Sequence, residues 1–225
     1  MTSNKDTVAL EIMWELKNYN DFVNKTMLKF IKKDPVLDFG SGFGIFCKFL
    51  NISGFQCHGL EVDKEAISES KKNKIKTFTD LSEINTLYPV VTSLNVLEHI
   101  EEDEKKIKEI TNVMQKDGLL ILYVPASMKA WSQMDIDAGH YRRYEKKEII
   151  NKLENNNLKV VHCSFKDCAG WLILVIFRFL KIKPKFNKKL LILYDKLFFP
   201  YLKYIDLIGG KFIGKNIFVV AKLIK

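Results

Sequence analysis

The chain has 225 residues, 47% hydrophobic and 12% aromatic, enough to bury one substantial core and to exclude a disordered or fibrous chain. Its four cysteines, Cys47, Cys57, Cys163 and Cys168, form no CxxC pair and sit in no His-rich cluster, which argues against a disulfide framework and a metal centre and for reduced thiols in the cytosol. The net charge of +9 is local: residues 181–225 hold eleven lysines against Asp195 and Asp206, while residues 1–180 balance, so an anionic partner is expected near the C-terminal end.

The N-terminus lacks a basic region followed by a long apolar run, so no signal peptide is expected. Residues 8–32 space Ile12, Leu16, Tyr19, Val23, Met27 and Phe30 by three and four, one face of a leading helix within residues 1–33. Strands are predicted over 36–39, 56–60, 75–78, 90–94 and 119–124, with helices over 43–50, 64–72 and 101–114, the last closed by Asp117-Gly118 and carrying Asp103, Ile107, Ile110 and Met114 on one side. Apolar runs without period-two alternation, separated by helical patterns, indicate a doubly wound α/β domain with a parallel sheet covered on both faces.

After Pro125 the rhythm changes. Residues 126–144 show no regular element, 145–153 read as a helix, 158–165 as a strand and 216–223 as the last strand. Residues 167–215 look like a helical insertion into what is otherwise one domain spanning 1–225. Within it, Trp171–Leu180 is too short for a bilayer, which needs about 20 residues. From Lys188 to Ile208 a narrow polar stripe of Lys188, Asp195, Lys196, Lys203 and Asp206 faces an otherwise apolar surface, interrupted at Pro200. Such a segment needs an apolar partner.

The sharpest chemical signal is Val36-Leu37-Asp38-Phe39-Gly40-Ser41-Gly42-Phe43-Gly44, a strand ending in D-x-G-x-G-x-G and opening a helix. Its glycines permit positive φ and close backbone approach, and its spacing matches neither a P-loop nor the GxGxxG dinucleotide fingerprint. Asp38 suits a ligand carrying an ammonium and a sulfonium. Glu61 ends the second strand, where a carboxylate can accept hydrogen bonds from ribose hydroxyls.

This combination resembles the class I S-adenosylmethionine-dependent methyltransferases over nearly the whole chain. The resemblance implies a Rossmann-like seven-stranded sheet, mostly parallel with one antiparallel strand, and helices on both faces. It implies that Asp38, Gly40, Ser41, Gly42 and Gly44 wrap the methionine part of S-adenosylmethionine, that Glu61 and Val62 hold ribose and adenine, that Asp80 and Leu81 contact adenine, and that Asn95 and Val96 lie near the methyl group. The run Leu94–Ile100 is similar to the LxxLEH segment of quinone-type methyltransferases. A narrower likeness covers Tyr19-Asn20, which adds Tyr19 to the cofactor contacts, Asp135 with Gly139-His140-Tyr141-Arg142-Arg143-Tyr144, Gly170-Trp171 and the segment 214–222. It points to methyltransferases that accompany surface-polysaccharide and glycolipid functions. Two departures stand out: Pro89 replaces the aspartate opening the fourth strand, and Asp167 replaces an Asn before Gly-Trp, which puts a substrate amide contact there in doubt.

Methyl transfer to oxygen needs alignment and a base. His140, in the irregular stretch after the fifth strand, is the leading candidate and His99 the alternative. Arg142 and Arg143 offer forks for a carboxylate or phosphate; Asp135 is expected to pair with one of them, leaving the other for substrate. Tyr141 and Tyr144 would wall the pocket or pack. The expected protein is thus an O-methyltransferase of a small or lipid-linked acceptor, in the cytoplasm and peripheral on an anionic membrane through residues 181–208, whose apolar faces alternatively form a dimer contact. A nucleic-acid methyltransferase and a non-catalytic S-adenosylmethionine-binding subunit are the rival readings, the former weakened by the absence of an N/D-P-P-Y/F signature.

Overall fold

The computed structural model describes residue 13, residues 15–182 and residues 187–224. Strands β1 (Val36–Phe39), β2 (Cys57–Leu60), β3 (Lys76–Phe78), β4 (Tyr88–Leu94), β5 (Met114–Pro125), β6 (Leu158–Lys166) and β7 (Asn216–Leu223) form one sheet in the order β3-β2-β1-β4-β5-β7-β6. The first five strands of that order pair in parallel, and β7 runs antiparallel between β5 and β6. All four residues of β1 and of β2 are buried, as expected of strands covered on both faces.

Alternate residues serve two cores. Leu37, Val91 and Leu120 face helices α4 (Asp103–Asn112) and α6 (Lys146–Glu154) through Ile107, Ile110, Ile149 and Leu153. Val36, Val90 and Ile121 face α1 (Lys17–Leu28) and α2 (Ile45–Ile52) through Tyr19, Val23, Met27, Phe46 and Leu50. Helix α3 (Lys64–Lys72) links β2 to β3. The strand order turns back between β1 and β4, which opens a crevice at the C-terminal ends of these two strands, where α/β folds bind ligands.

Several expectations shift. The leading helix begins at Lys17, although Met13 and Glu15 are also helical; residues 8–12, with Ile12, lie outside the described residues. The fourth predicted helix stops at Asn112 and does not reach Asp117-Gly118, because Met114 pairs with Tyr88 and starts β5 early. That pairing shifts register between Tyr88 and Val90, so Pro89, which has no N–H to donate, falls where the ladder is already interrupted. The stretch 126–144, predicted without regular structure, holds a 3₁₀ turn (Met128–Ala130), α5 (Gln133–Asp137) and a parallel bridge between Ala126 and Tyr144.

The insertion is helical: α7 (Cys168–Phe179), α8 (Lys188–Leu197), α9 (Phe199–Leu202), a 3₁₀ turn (Lys203–Ile205) and α10 (Asp206–Gly209). Pro200 lies in the first turn of α9, where an N–H would be unpaired anyway. The expected polar stripe is reversed in part, because Asp195 and Asp206 are buried. Asp195 accepts hydrogen bonds from the Asn18 and Tyr19 N–H groups, capping α1, whose own preceding residue Leu16 has no side-chain acceptor. Asp206 likewise accepts from the Asp167 and Cys168 N–H groups at the start of α7. Phe199 packs inward against Tyr19 and Phe22, but much of the apolar surface points outward: Leu190, Leu193, Phe198, Tyr201, Leu207 and Phe212 are all about half exposed or more. Among the described residues no helix is long and apolar enough to cross a membrane.

Candidate active site at the C-terminal rim of the sheet

The loop after β1 has the geometry its glycines suggested. Gly40, Gly42 and Gly44 adopt φ of 75°, 51° and 75°. The Gly40 and Ser41 N–H groups bond the Leu60 carbonyl at 2.8 and 3.0 Å, tying the loop to the tip of β2. Beside that tip, Glu61 accepts from the Val62 and Asp63 N–H groups through Oε1 at 2.8 and 2.9 Å, and from Gly42 N–H through Oε2 at 2.7 Å. The carboxylate is therefore fixed at the mouth of the loop, with acceptor capacity left on Oε2 for a ligand hydroxyl.

Asp38 is buried in β1, and the Thr92 hydroxyl donates to it at 2.8 Å. Burial raises its pKa to about 7, helped by the nearby Glu61 and opposed by the Thr92 bond. Such a group is stabilised in its charged form by a cation. The Ser41 hydroxyl, also buried in this loop, has no hydrogen-bond partner. A nucleoside carrying an ammonium and a sulfonium, with two vicinal hydroxyls, fits this donor and acceptor set.

The remaining expected cofactor residues divide. Val96 packs against Gly40, where a Cβ would come within 2.3 Å of it. Asn95 takes φ 51°, and its N–H bonds the Tyr123 carbonyl at 2.7 Å, so the backbone turns sharply at the end of β4. Val62 is exposed, Asp80 caps the short turn Leu81–Glu83 through Ser82 N–H, and Leu81 packs on the core. Tyr19 is buried, with its hydroxyl 3.4 Å from that of Tyr123 and 3.2 Å from Asn216 Nδ2, at the rim end of β5 and β7.

Across the crevice, Asp135 organises the stretch between α5 and α6. It caps α5 with Ser132, and its Oδ1 takes both His140 Nδ1, at 2.9 Å, and Arg143 Nε, at 2.7 Å. Burial would raise the Asp135 pKa, but His140 and Arg143 hold it below the ordinary carboxylate value. An ionised carboxylate only accepts, so His140 Nδ1 carries a proton and donates it to Asp135. His140 Nε2 lies 4.0 Å from Glu98 Oε1, and the ring of His99 stands edge-on to His140 at 4.7 Å between centroids. Tyr141 N–H bonds the Glu98 carbonyl at 2.8 Å, which locks the stretch to the turn after β4.

Neither arginine is left for substrate, contrary to expectation. Arg143 is buried against Asp135, and Arg142 pairs with Asp103 at 2.8 Å and donates to the Glu101 carbonyl. Asp103 is shared with Lys152 and with the Tyr144 hydroxyl, so Tyr144 is a core residue, whereas Tyr141 is exposed. Asp167, in place of Asn, caps α7 through Gly170 N–H and pairs with Lys215 at 2.9 Å. The sequence reading missed Glu98, which is fully buried, and the anchoring role of Asp103, whose place on the apolar face of its helix was the available signal.

Comparison with known proteins gives this geometry a family. The profile of the family described as "Methyltransferase domain" matches residues 13–163, two thirds of the chain. The ubiquinone biosynthesis O-methyltransferase of Vibrio atlanticus is 28% identical over 110 residues, 44% of this chain; the match spans about half of that relative, 46%. Among solved structures, a SAM-dependent methyltransferase from Archaeoglobus fulgidus superposes with a TM-score of 0.62 at 16% identity, covering 93% of this chain and 98% of that one. Magnesium protoporphyrin IX methyltransferase from Synechocystis, with bound SAH, gives a TM-score of 0.55 at 19% identity, covering 68% and 77%. The glycine loop, the acid at the tip of β2 and the seven-stranded order agree with these relationships: this chain belongs to the methyltransferase domain family.

Proposed function

We propose that the chain transfers a methyl group from S-adenosylmethionine to an oxygen of a small, amphiphilic acceptor, lipid-linked or quinone-like, that it meets at an anionic membrane surface. The observation that carries the reading is the turn after β4, which ties the two groups together: its Val96 packs on Gly40 of the loop that holds Asp38, Gly42 and Glu61, and, two residues on, Glu98 accepts from Tyr141 N–H through its carbonyl and lies 4.0 Å from His140, the partner of Asp135. The O-methyltransferase of Vibrio atlanticus, similar over residues of this chain, supports oxygen as the target.

S-adenosylmethionine supplies a methyl already activated by a sulfonium. The chain has to hold the donor, align the acceptor and take one proton. Glu61 accepts from the ribose, Asp38 faces the cationic end, and the glycine loop lets the backbone approach closely. His140 Nε2 receives the acceptor's hydroxyl proton as oxygen gains the methyl, and Asp135 stabilises the resulting imidazolium through Nδ1. Positioning of this kind is worth up to about 7–11 kcal/mol, with a general base adding roughly 10²–10⁴-fold.

The insertion supports the membrane element. The two acids of residues 181–225 are spent as buried caps, so the outward surface presents exposed Lys181, Lys189 and Lys196 among exposed Leu190, Leu193 and Phe198. A cationic, apolar face of this kind suits an anionic lipid interface. Helix α7, which leads into this segment, is tied to the stretch after β5 by Arg178, which donates to the Met128 carbonyl at 2.6 Å.

The test is transfer of label from methyl-labelled S-adenosylmethionine in a membrane extract. Label is expected in a solvent-extractable small molecule as an alkali-stable ether; label in nucleic acid would overturn the reading, and no transfer despite cofactor binding would favour a non-catalytic subunit.

A further inference from the structure

At the rim of the sheet, the fold brings His140 beside the sequence neighbours Glu98 and His99, making a group of three metal-ligating side chains. The ligand atoms of Glu98, His99 and His140 all lie within 4.8 Å of one another. Glu98 is fully buried, and apart from a weak approach of its own backbone N–H neither carboxylate oxygen has a hydrogen-bond partner. A buried carboxylate left in this state is costly, and native proteins satisfy such groups with a proton donor or a cation. The imidazoles are near: His140 Nε2 lies at 4.0 Å, with the ring of His99 beyond, and the Arg143–Asp135 pair also acts on Glu98.

The second layer is built as metal sites build it. His140 donates from Nδ1 to Asp135, which Arg143 holds in turn, so its Nε2 is turned toward Glu98. His99 stands beside the Ala138 backbone, which favours its protonated form. A carboxylate fixing the far nitrogen of a ligating imidazole, as Asp135 does for His140, is the usual arrangement around protein-bound zinc.

We infer that Glu98, His99 and His140 form a three-ligand site for a divalent transition ion of the zinc class, with an open position toward the methyl acceptor. Two imidazoles and one carboxylate suit such an ion better than calcium or magnesium, which prefer all-oxygen shells. Four-coordinate zinc at about 2.0–2.1 Å from its ligands places them roughly 3.4 Å apart, so binding draws in the Glu98–His140 pair from 4.0 Å and the whole group from within 4.8 Å. The inference rests on the functional reading above for the donor and the acceptor, and replaces the proton-accepting role given there to His140. With the ion bound, the acceptor hydroxyl replaces a coordinated water, its proton passes to solvent, and the ion-bound oxygen attacks the methyl carbon as the carbon–sulfur pair returns to sulfur. His140 then positions the ion instead of taking the proton.

The experiment uses the full chain after chelation and dialysis, titrated with zinc by calorimetry and with cobalt by visible absorption. One ion per chain is expected, with the d–d bands of a four- or five-coordinate cobalt site. His99→Asn, at a residue with an exposed edge, and His140→Asn are each expected to weaken binding at least 100-fold, and Asp135→Asn about 10–100-fold. Thermal unfolding and S-adenosylhomocysteine titration run on every variant show that the fold and the donor site persist. Zinc bound equally by wild type and both histidine variants, or no stoichiometric zinc or cobalt on protein that binds S-adenosylhomocysteine, would overturn the metal site alone. Loss of S-adenosylhomocysteine binding in the wild type would instead overturn the functional reading.

Discussion

At Gly40 the backbone turns at φ 75°, and the Val96 side chain fills the space a Cβ would take, 2.3 Å away. Gly40→Ala should therefore combine backbone strain with a clash and cost about 2–4 kcal/mol by urea unfolding, while weakening S-adenosylhomocysteine binding at least tenfold by calorimetry. Wild-type affinity in this variant would mean that the loop is not the donor cradle. Asp38 carries a pH signature. Its pKa lies near 7 in the fold, raised by burial from an ordinary carboxylate value, so the folded chain prefers the protonated form. That contribution to stability is full below about pH 4 and is lost as pH rises through about 7. For a cationic ligand the sign reverses: affinity for S-adenosylmethionine should fall as pH drops below 7, approaching about tenfold per unit. Asp38→Asn should abolish that slope, and a slope that survives would assign it elsewhere. These residues were legible because glycine spacing and an acid at a strand end are local signals. Glu98 was not, because its burial depends on the stretch 135–144 folding over the turn after β4.

Among the elements, the insertion shows what helical periodicity leaves open. Plotting residues 188–208 separates polar from apolar positions, but it does not say which side faces the protein. The unpaired N–H groups of α1 and α7 decide it, drawing Asp195 and Asp206 inward as caps supplied from another segment. Asp195→Ala should leave two α1 N–H groups without an acceptor and cost about 1–3 kcal/mol in denaturant unfolding. A neutral result would mean that the cap is not formed in solution. Periodicity erred in the same way at Met114, which continues the apolar face of α4 by spacing yet is claimed by Tyr88 across the sheet. The last strand, Asn216–Leu223, was legible to the residue, since nothing competes for an apolar run of β-branched and aromatic side chains between two lysines.

Over the whole molecule, the alternation of runs and helices predicted the sheet, while the strand order sets the glycine loop after β1 and the group of Glu98, His99 and His140 at the same rim. His99 and His140 meet only because β5 returns the chain to the tip of β4 before the irregular stretch begins. The outward lysines make a further expectation. Replacing Lys181, Lys189 and Lys196 by Gln should reduce binding to vesicles containing anionic lipid by about fivefold per lysine, at roughly 1 kcal/mol each, and raised salt should do the same to the wild type. Unchanged pelleting would leave the apolar face to another partner. The central claim, a nucleoside sulfonium held across the tips of β1 and β2, is tested most directly by calorimetric titration of S-adenosylhomocysteine into the wild type and Glu61→Ala. One site per chain is predicted, with affinity falling at least 100-fold in the variant; no heat with the folded wild type, or equal affinity in both proteins, would contradict it.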